Sequence, residues 1–239
     1  MRADSPALLL ISNSTNPGEG YLDHCAETMS THFAGCTRIA FVPYALADLD
    51  AYAKQAEARF DRMGLALQSV HRDSDPAAAI AQCDGVFVGG GNTFRLLHRA
   101  RSLGLVEAIA GMVRSGVPYA GASAGSNLAC PTIKTTNDMP IVDPAGLEAL
   151  DLFPYQINAH YVDRDPDVAH GGETREQRIA EFHEENETPV IGIREGTMLD
   201  HRPGRTTVLG PLRARLFRKG EATIELDSGS VVEDFVGFA

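Results

Sequence analysis

The chain has 239 residues, of which 44% are apolar and 22% charged, close to soluble globular averages and far from a disordered composition. At about 150 residues per domain this length allows one large domain or two small ones, and a chain this long buries roughly 70% of its unfolded surface without a metal or disulfide staple. Twenty-one basic against thirty-two acidic residues leave a net charge of −11, which argues against nucleic acid as a partner and leaves an acidic substrate repelled everywhere except at a local basic pocket.

The first half alternates strand and helix signals. The apolar run 8–11 predicts a buried strand that meets Ser12-Asn13-Ser14 and a polar loop to residue 20. A helix is expected over 21–33, a strand over 38–42 cut by Pro43, and an alanine-rich helix over 45–63 broken by Gly64. Then come a strand over 65–70, a short helix over 75–82 with Pro76 near its start, and a strand over 86–88 that runs into Gly89-Gly90-Gly91-Asn92. Helices over 93–101 and 105–114 precede a strand over 117–120 and the turn Gly121-Ala122-Ser123-Ala124-Gly125. This alternation predicts right-handed crossovers and an α/β fold with a mostly parallel central sheet and helices on both faces. Residues 131–172 are rich in Asp, Pro and Asn and read mainly as loops, followed by a helix over 173–184. Short strand-like runs at 190–193, 206–209, 214–217 and 222–226 predict a C-terminal antiparallel extension. With no repeat, low-complexity tract or linker, residues 1–239 are expected to form a single domain.

No segment approaches the ~18 apolar residues of a membrane helix, and the run 7–11 is too short for a signal-peptide core. The four cysteines, Cys25, Cys36, Cys83 and Cys130, form no C-x-x-C pair and read as reduced, mostly buried thiols, hence a cytoplasmic location.

The segment 121–125 fits G-x-S-x-G between a strand and a helix-compatible stretch. A sharp turn there lifts the Ser123 hydroxyl clear of the sheet, small flanking residues allow close packing, and the next helix start offers free N–H groups to a developing oxyanion. The competing reading is a glycine-rich turn with an incidental serine. Gly89-Gly90-Gly91-Asn92 lies at the end of the preceding strand, where open α/β sheets bind ligands, and its glycines would let a backbone N–H face a reacting atom. The dinucleotide pattern fails because Phe94 stands three residues beyond Gly91, and no Gly-Lys-Ser/Thr follows for a P-loop.

A serine needs a base, and the base an orienting partner. Of eight histidines, His24, His32, His98 and His183 fall in helical segments and His71 and His201 beside charged residues, while His160 follows Ile157-Asn158-Ala159 as a strand-end side chain would. On pattern alone a hydrogen-bonded structural histidine is the preferred reading. Carboxylates are many; Glu195, after the run 190–193, also sits at a strand end.

Six segments in order resemble the peptidase E family, serine-dependent aspartyl dipeptidases related to cyanophycinases. They are Gly89-Gly90-Gly91-Asn92-Thr93, Gly121-Ala122-Ser123-Ala124-Gly125, Thr135-Thr136-Asn137-Asp138-Met139-Pro140, Ile157-Asn158-Ala159-His160, residues 172–179, and Ile191-Gly192-Ile193-Arg194-Glu195-Gly196. The resemblance implies cleavage of dipeptides with N-terminal aspartate through an acyl-enzyme, without a cofactor or metal. It implies Ser123 as nucleophile, His160 as base and Glu195 as orienting carboxylate, with Asp138 the rival for that third place. The N–H groups of Gly91 and Ala124 are the expected oxyanion donors. Asn92 and Asp138 are expected at the substrate. An aspartate-binding pocket favours arginine. Arg175 and Arg178 lie four residues before Ile179 and Phe182 on the 173–184 helix and share their faces, and Arg175 is the favoured residue. A homodimer with apolar contacts from residues 235–238 also follows from the resemblance. Ala122 stands where family members often carry a bulkier residue or threonine, a change of packing more than chemistry.

Alternatives on the same residues are hydrolysis of β-aspartyl or cyanophycin-like linkages, and a non-catalytic protein whose glycine loop holds a small anion. An amidotransferase elbow would carry cysteine. Asp163-x-Asp165-x-Asp167 mimics a calcium loop, but Val168 and Thr174 stand where glycine and glutamate are needed. His183-Glu184-Glu185 fails the zinc-protease motif at Glu187. Cys130, near Ser123 in sequence, reads as a small core residue.

Overall fold

A computed structural model describes residues 6–164 and 172–236. Four short runs, β1 (Leu8–Ile11), β2 (Ile39–Val42), β4 (Gly85–Val88) and β5 (Tyr119–Ala122), are buried at every position. Strands covered on both faces need no polar alternation and pair in parallel. With β3 (Leu67–Ser69), β8 (Met198–Arg202) and β9 (Arg205–Leu209) they form one sheet in the order β3-β2-β4-β5-β1-β8-β9. The first five are parallel; β8 runs antiparallel to β1, and β9 to β8.

The two-residue alternation of β1 separates the core into two layers. Leu9 and Ile11 pack with Met29 of α1 (Ala26–His32) and with Tyr52 and Phe60 of α2 (Leu49–Arg62). Leu8 and Leu10 face the other layer, with Ile80 of α3 (Pro76–Ile80), Leu96 of α4 (Thr93–Ser102), Ile109 of α5 (Leu105–Arg114) and Leu128 of α6 (Ala124–Ala129). A second sheet joins this layer through Ile157, Ile191 and Leu216. Its order is β11-β10-β7-β6, from β6 (Gln156–Ala159), β7 (Val190–Ile193), β10 (Ala214–Phe217) and β11 (Ile224–Leu226). In it β6 and β7 are parallel and the other pairs antiparallel. The helices α7 (Arg175–Glu185) and α8 (Glu233–Val236) complete the described elements.

Several boundaries differ from expectation for identifiable reasons. The helix expected from residue 21 begins at Ala26, because Leu22 turns into the core at φ 56° and donates its N–H to Ser14 O at 2.7 Å. The helix expected over 45–63 starts at Leu49, where Asp48 caps it by accepting the Ala51 N–H. The strand expected over 117–120 is shifted to Tyr119–Ala122. Gly121 and Ala122 are therefore strand, and the turn shrinks to Ser123. The 131–172 stretch, read mainly as loops, contains β6, whose end at Ala159 agrees with the strand-end place expected for His160, while β8, with Asp200 and Arg202 in its run, carried no strand signal. The antiparallel extension is thus realised twice, as β8–β9 on the main sheet and as β10–β11 on the second.

His32 ends α1 with Nε2 2.9 Å from Tyr119 O, at the root of the strand that carries Ser123, while its Nδ1 is buried without a partner among the described residues. Burial, helped by Arg202, lowers its pKa to about 4. The unfolded chain, with histidine near 6.5, therefore binds the extra proton first as pH falls, so this stability is full above about pH 6.5 and lost toward pH 4, by up to ~3 kcal/mol. Urea midpoints measured from pH 7 to pH 4 should fall less steeply for His32→Gln than for the parent; equal slopes would remove His32 from the account.

Candidate active site

At the end of β5 the chain must reverse into α6 within one residue. A Cβ on Gly121 would collide with the Gly125 carbonyl, and a Cβ on Gly125 with the Val88 carbonyl. The two glycines are therefore what lets strand and helix approach so closely. Between them Ser123 takes φ 52° and ψ −108°, outside the regions L-residues ordinarily occupy, at a cost of order 1–3 kcal/mol. Its surroundings hold it there. Ser123 N–H donates to Ile11 O at 2.9 Å, and Ser123 O accepts from Ser126 and Asn127 N–H at 2.9 and 3.0 Å. Tyr119 Oη donates to Gly125 O at 2.6 Å, and the Ser126 hydroxyl lies 2.8 Å from both Ile11 O and Gly121 O.

The parallel register of β6 and β7, with Ala159 opposite Ile193, brings the ends of both strands to one edge. His160 follows β6, itself at φ 51°, and Glu195 lies two residues beyond β7. His160 Nε2 is 2.9 Å from Ser123 Oγ and its Nδ1 is 3.0 Å from Glu195 Oε1. An ionised carboxylate only accepts, so Glu195 selects the tautomer with the proton on Nδ1 and leaves the Nε2 lone pair facing the hydroxyl. The chain order is Ser, His, Glu.

Ser123 and His160 open on a cavity of about 520 Å³ also lined by Asn13, Ser14, Tyr52, Gln55, Gly90, Gly91 and Asp138. Gly91 has φ 134°, and a Cβ there would stand 2.7 Å from Ala45 O. Only glycine is tolerated, which leaves its peptide edge open to the cavity. Ala124 opens α6, where its N–H has no preceding helical carbonyl. Asp138 lines the same cavity but does not bond His160. Its Oδ2 accepts from Thr93 N–H, Thr93 Oγ1 and Thr136 Oγ1 at 2.8, 2.6 and 3.2 Å, while Oδ1 takes no partner among the described residues. Of the two carboxylates considered for the third place, Glu195 is the one beside the imidazole.

Two expected residues are not gathered here. Asn92 has both ends of its amide engaged, accepting from Arg95 N–H at 3.0 Å and donating to Met139 O at 2.9 Å. Arg175, the first residue of α7, lines a separate hollow of about 360 Å³ with Asp163, Arg164 and Arg178. It is half-buried with no carboxylate partner among the described residues; burial first and Arg178 second lower its pKa. Cys130 donates weakly to Ser126 O, and burial pushes its thiol up to about 12, which makes it inert. Among the described residues no group of three His, Cys, Asp or Glu is placed to hold a metal. Asp165 and Asp167 of the calcium-like stretch lie outside the described residues.

Sequence reasoning passed over Tyr52, Gln55 and Arg194. The first two carry no signal beyond their place on an amphipathic helix. Arg194 clasps Asp163 at 2.7 and 2.8 Å and Glu225 at 2.9 and 3.0 Å, with its guanidinium 5.6 Å from the Tyr161 ring centroid. It thereby ties the residue before Glu195 to the residue after His160.

A strained serine at the strand-to-helix turn, in line with an imidazole and a carboxylate at the carboxyl edge of a mostly parallel sheet, places the chain among the serine hydrolases. The model of peptidase family S51 matches residues 8–209, from β1 through β9. The chain is 49% identical to peptidase E of Streptomyces coelicolor over 96% of its length and 94% of that protein. It is 44% identical to peptidase E of Citrobacter koseri over 93% of its length and 98% of that protein. The crystal structure of a peptidase from an acI-B1 Actinobacterium shares the fold, with TM-score 0.69 and 16% identity over 96% of this chain and 98% of that one. The chain belongs to peptidase family S51 and is a serine peptidase.

The two kinds of glycine make opposite predictions. Gly111, inside α5, has open space where a Cβ would go, so Gly111→Ala should stabilise by about 0.5–1 kcal/mol. Gly125→Ala should destabilise by about 1–3 kcal/mol and slow Ser123 labelling by fluorophosphonates. Urea unfolding of both variants and a labelling time course check this; a neutral Gly125→Ala would mean the strand–helix contact is looser than described.

Proposed function

We propose that the protein is a dipeptidase that hydrolyses peptides with an N-terminal aspartate. The hydrogen-bonded line Ser123 Oγ, His160 and Glu195, at 2.9 and 3.0 Å, carries this reading. Ser123 Oγ attacks the peptide carbonyl while His160 Nε2 takes its proton. Glu195 holds the Nδ1 proton and stabilises the imidazolium. The N–H groups of Gly91 and Ala124 receive the oxyanion, each donor contributing about 3 kcal/mol in the transition state. His160 returns the proton to the leaving amine, and water activated by the same nitrogen releases aspartate.

Specificity is assigned by charge. Asp138 lines the cavity, and its Oδ1, which takes no partner among the described residues, suits the substrate ammonium. Arg175, half-buried and without a carboxylate among the described residues, lines its hollow together with Val162, two residues beyond His160, and is the cation assigned to the aspartate side chain. In a chain of net charge −11 such an unneutralised guanidinium is what lets an acidic ligand approach. Asn92 acts by holding the 138–139 backbone against α4. The same reading takes residues 1–239 as one catalytic unit, which the core layer shared by both sheets supports. It places the protein in the cytoplasm, in keeping with the free, buried thiols of Cys25, Cys83 and Cys130 and with no described helix long and apolar enough to cross a membrane. It also takes the protein to be a homodimer; Phe235 offers exposed apolar surface, while Phe238 lies outside the described residues.

Ser123→Ala should lower kcat/KM on Asp-Leu by at least about 10⁴-fold with the fold intact, and parent-like turnover would refute the nucleophile. Arg175→Ala should erase most of the preference for Asp-Leu over Ala-Leu while leaving the urea midpoint within about 0.5 kcal/mol of the parent. A parent enzyme that cleaves the two dipeptides equally would end the charge assignment. A β-aspartyl dipeptide run alongside separates the two linkages.

A further inference from the structure

The turns that carry Ser123, His160 and Glu195 are distant in sequence, yet each is bonded to the same three consecutive residues. Ile11 O accepts the Ser123 N–H at 2.9 Å. Ser12 Oγ accepts the His160 N–H at 3.0 Å and donates to Ile193 O at 2.8 Å. Asn13 Oδ1 accepts the Gly196 N–H at 2.8 Å. Ser12 is itself fixed, because its N–H donates to Thr197 O at 3.1 Å and its side chain is fully buried.

We infer that Ser12 is a positioning residue for the reaction. One hydroxyl, using its donor and one acceptor site, spans the two strand ends that present the base and its carboxylate. His160 sits at φ 51°, a conformation that histidine leaves readily when nothing holds it, and its N–H has Ser12 Oγ as partner. Without that acceptor a partly buried donor loses its partner, and the backbone at residue 160 relaxes toward an ordinary conformation. The imidazole then swings relative to Ser123. The second bond fixes Ile193, two residues before Glu195, so the same loss loosens the carboxylate from the other side. Ser12 touches no reacting atom; it acts by keeping the 2.9 and 3.0 Å distances of the Ser-His-Glu line. The inference rests on the reading of that line as catalytic.

The test compares Ser12→Ala, Ser12→Thr and Val208→Ala with the parent on Asp-Leu, with circular dichroism and Tm for each. Val208 is a buried β9 side chain away from the cavity and reports what destabilisation alone does. A misplacement near 1 Å costs on the order of 100-fold, so Ser12→Ala should lose about 100-fold in kcat and in the fluorophosphonate labelling rate, with KM within about threefold. Ser12→Thr, which keeps the hydroxyl, should recover most of that rate, and Val208→Ala should keep the parent kcat despite a lower Tm. A Ser12→Ala kcat within about threefold of the parent, a change confined to KM, no recovery in Ser12→Thr, or an equal kcat loss in Val208→Ala each overturns the inference. If Ser12→Ala does not fold, Ser12→Cys replaces it; about tenfold loss of kcat supports the inference and parent-like kcat overturns it. Ser123→Ala separates the two levels of the argument. If it keeps activity, the catalytic reading fails; if it is inactive while Ser12→Ala is not impaired, only the positioning role fails.

Discussion

The carboxyl end of β1 is the point on which the site depends. A strand between two neighbours, β5 on one side and β8 on the other, has its main-chain direction fixed by hydrogen bonds on both edges. Its last residue is held by the sheet, Ser12 beyond it by its N–H bond to Thr197 O, and the Asn13 side chain by Thr15 O and Asn16 Oδ1. From that base Ile11, Ser12 and Asn13 reach the turns bearing Ser123, His160 and Glu195. Two of these residues, Ser123 and His160, occupy positive φ, each at a cost of order 1–3 kcal/mol. Such strain persists only where the surroundings over-determine the backbone. Here they do so with hydrogen bonds that are buried or partly buried, and so costly to leave unmade.

Electrostatics reinforce the same geometry from outside. Arg194 and Arg215 share Asp163 and Glu225, and Arg215 also bonds Tyr161 Oη and Glu176. Both guanidinium groups lie beside the Tyr161 ring. An isolated surface pair contributes little, but a network anchored on bidentate arginine and an aromatic face gains from preorganisation. Its partners hold Asp163 below the usual carboxylate range, Arg194 first among them. Elsewhere among the described residues Arg59, Arg72, Arg101, Arg178, Arg202, Arg213 and Arg218 also pair with carboxylates. Arg175 stands apart from them, repelled by Arg178 and desolvated.

Much of this was legible in the residues. Fully apolar four-residue runs separated by helical stretches announce a doubly covered parallel sheet, and the glycine-flanked Ser123 and the two strand-end residues His160 and Glu195 stood out by position. What was not legible has physical causes. The extent of β5 depended on Tyr119 donating its N–H to Ala7 O just after Pro118, a long-range bond with no local signature. The strand β8 exists because it is held between β1 and β9, and its Asp200 and Arg202 break any apolar pattern. β6 lies in a segment whose composition reads as loop, and parallel pairing with β7 made it a strand. The strand-end position and the resemblance favoured Glu195 over Asp138 for the third place, and the coordinates put Glu195 beside the imidazole. The Ser12-Asn13-Ser14 run looked like an ordinary polar loop because hydrogen-bond partners 148 and 183 residues away leave no trace in local sequence.

The exposure of the His-Glu pair indicates which part of the carboxylate's role matters. The His160 and Glu195 side chains are 41% and 47% exposed, so water screens their attraction, and a pair of that kind is worth about 0–1 kcal/mol. Charge stabilisation of the imidazolium through Glu195 is correspondingly limited. Tautomer selection is not screened in the same way, because it depends on one directional hydrogen bond at 3.0 Å. That bond keeps its direction only if the turn at Glu195-Gly196 keeps its shape. Gly196 adopts φ 79° and donates its N–H to Asn13. A site whose electrostatics are partly open to solvent thus relies on backbone rigidity for the alignment that a buried carboxylate would obtain from its surroundings. This is why the polar residues that follow β1 belong to the chemistry as much as the side chains they hold.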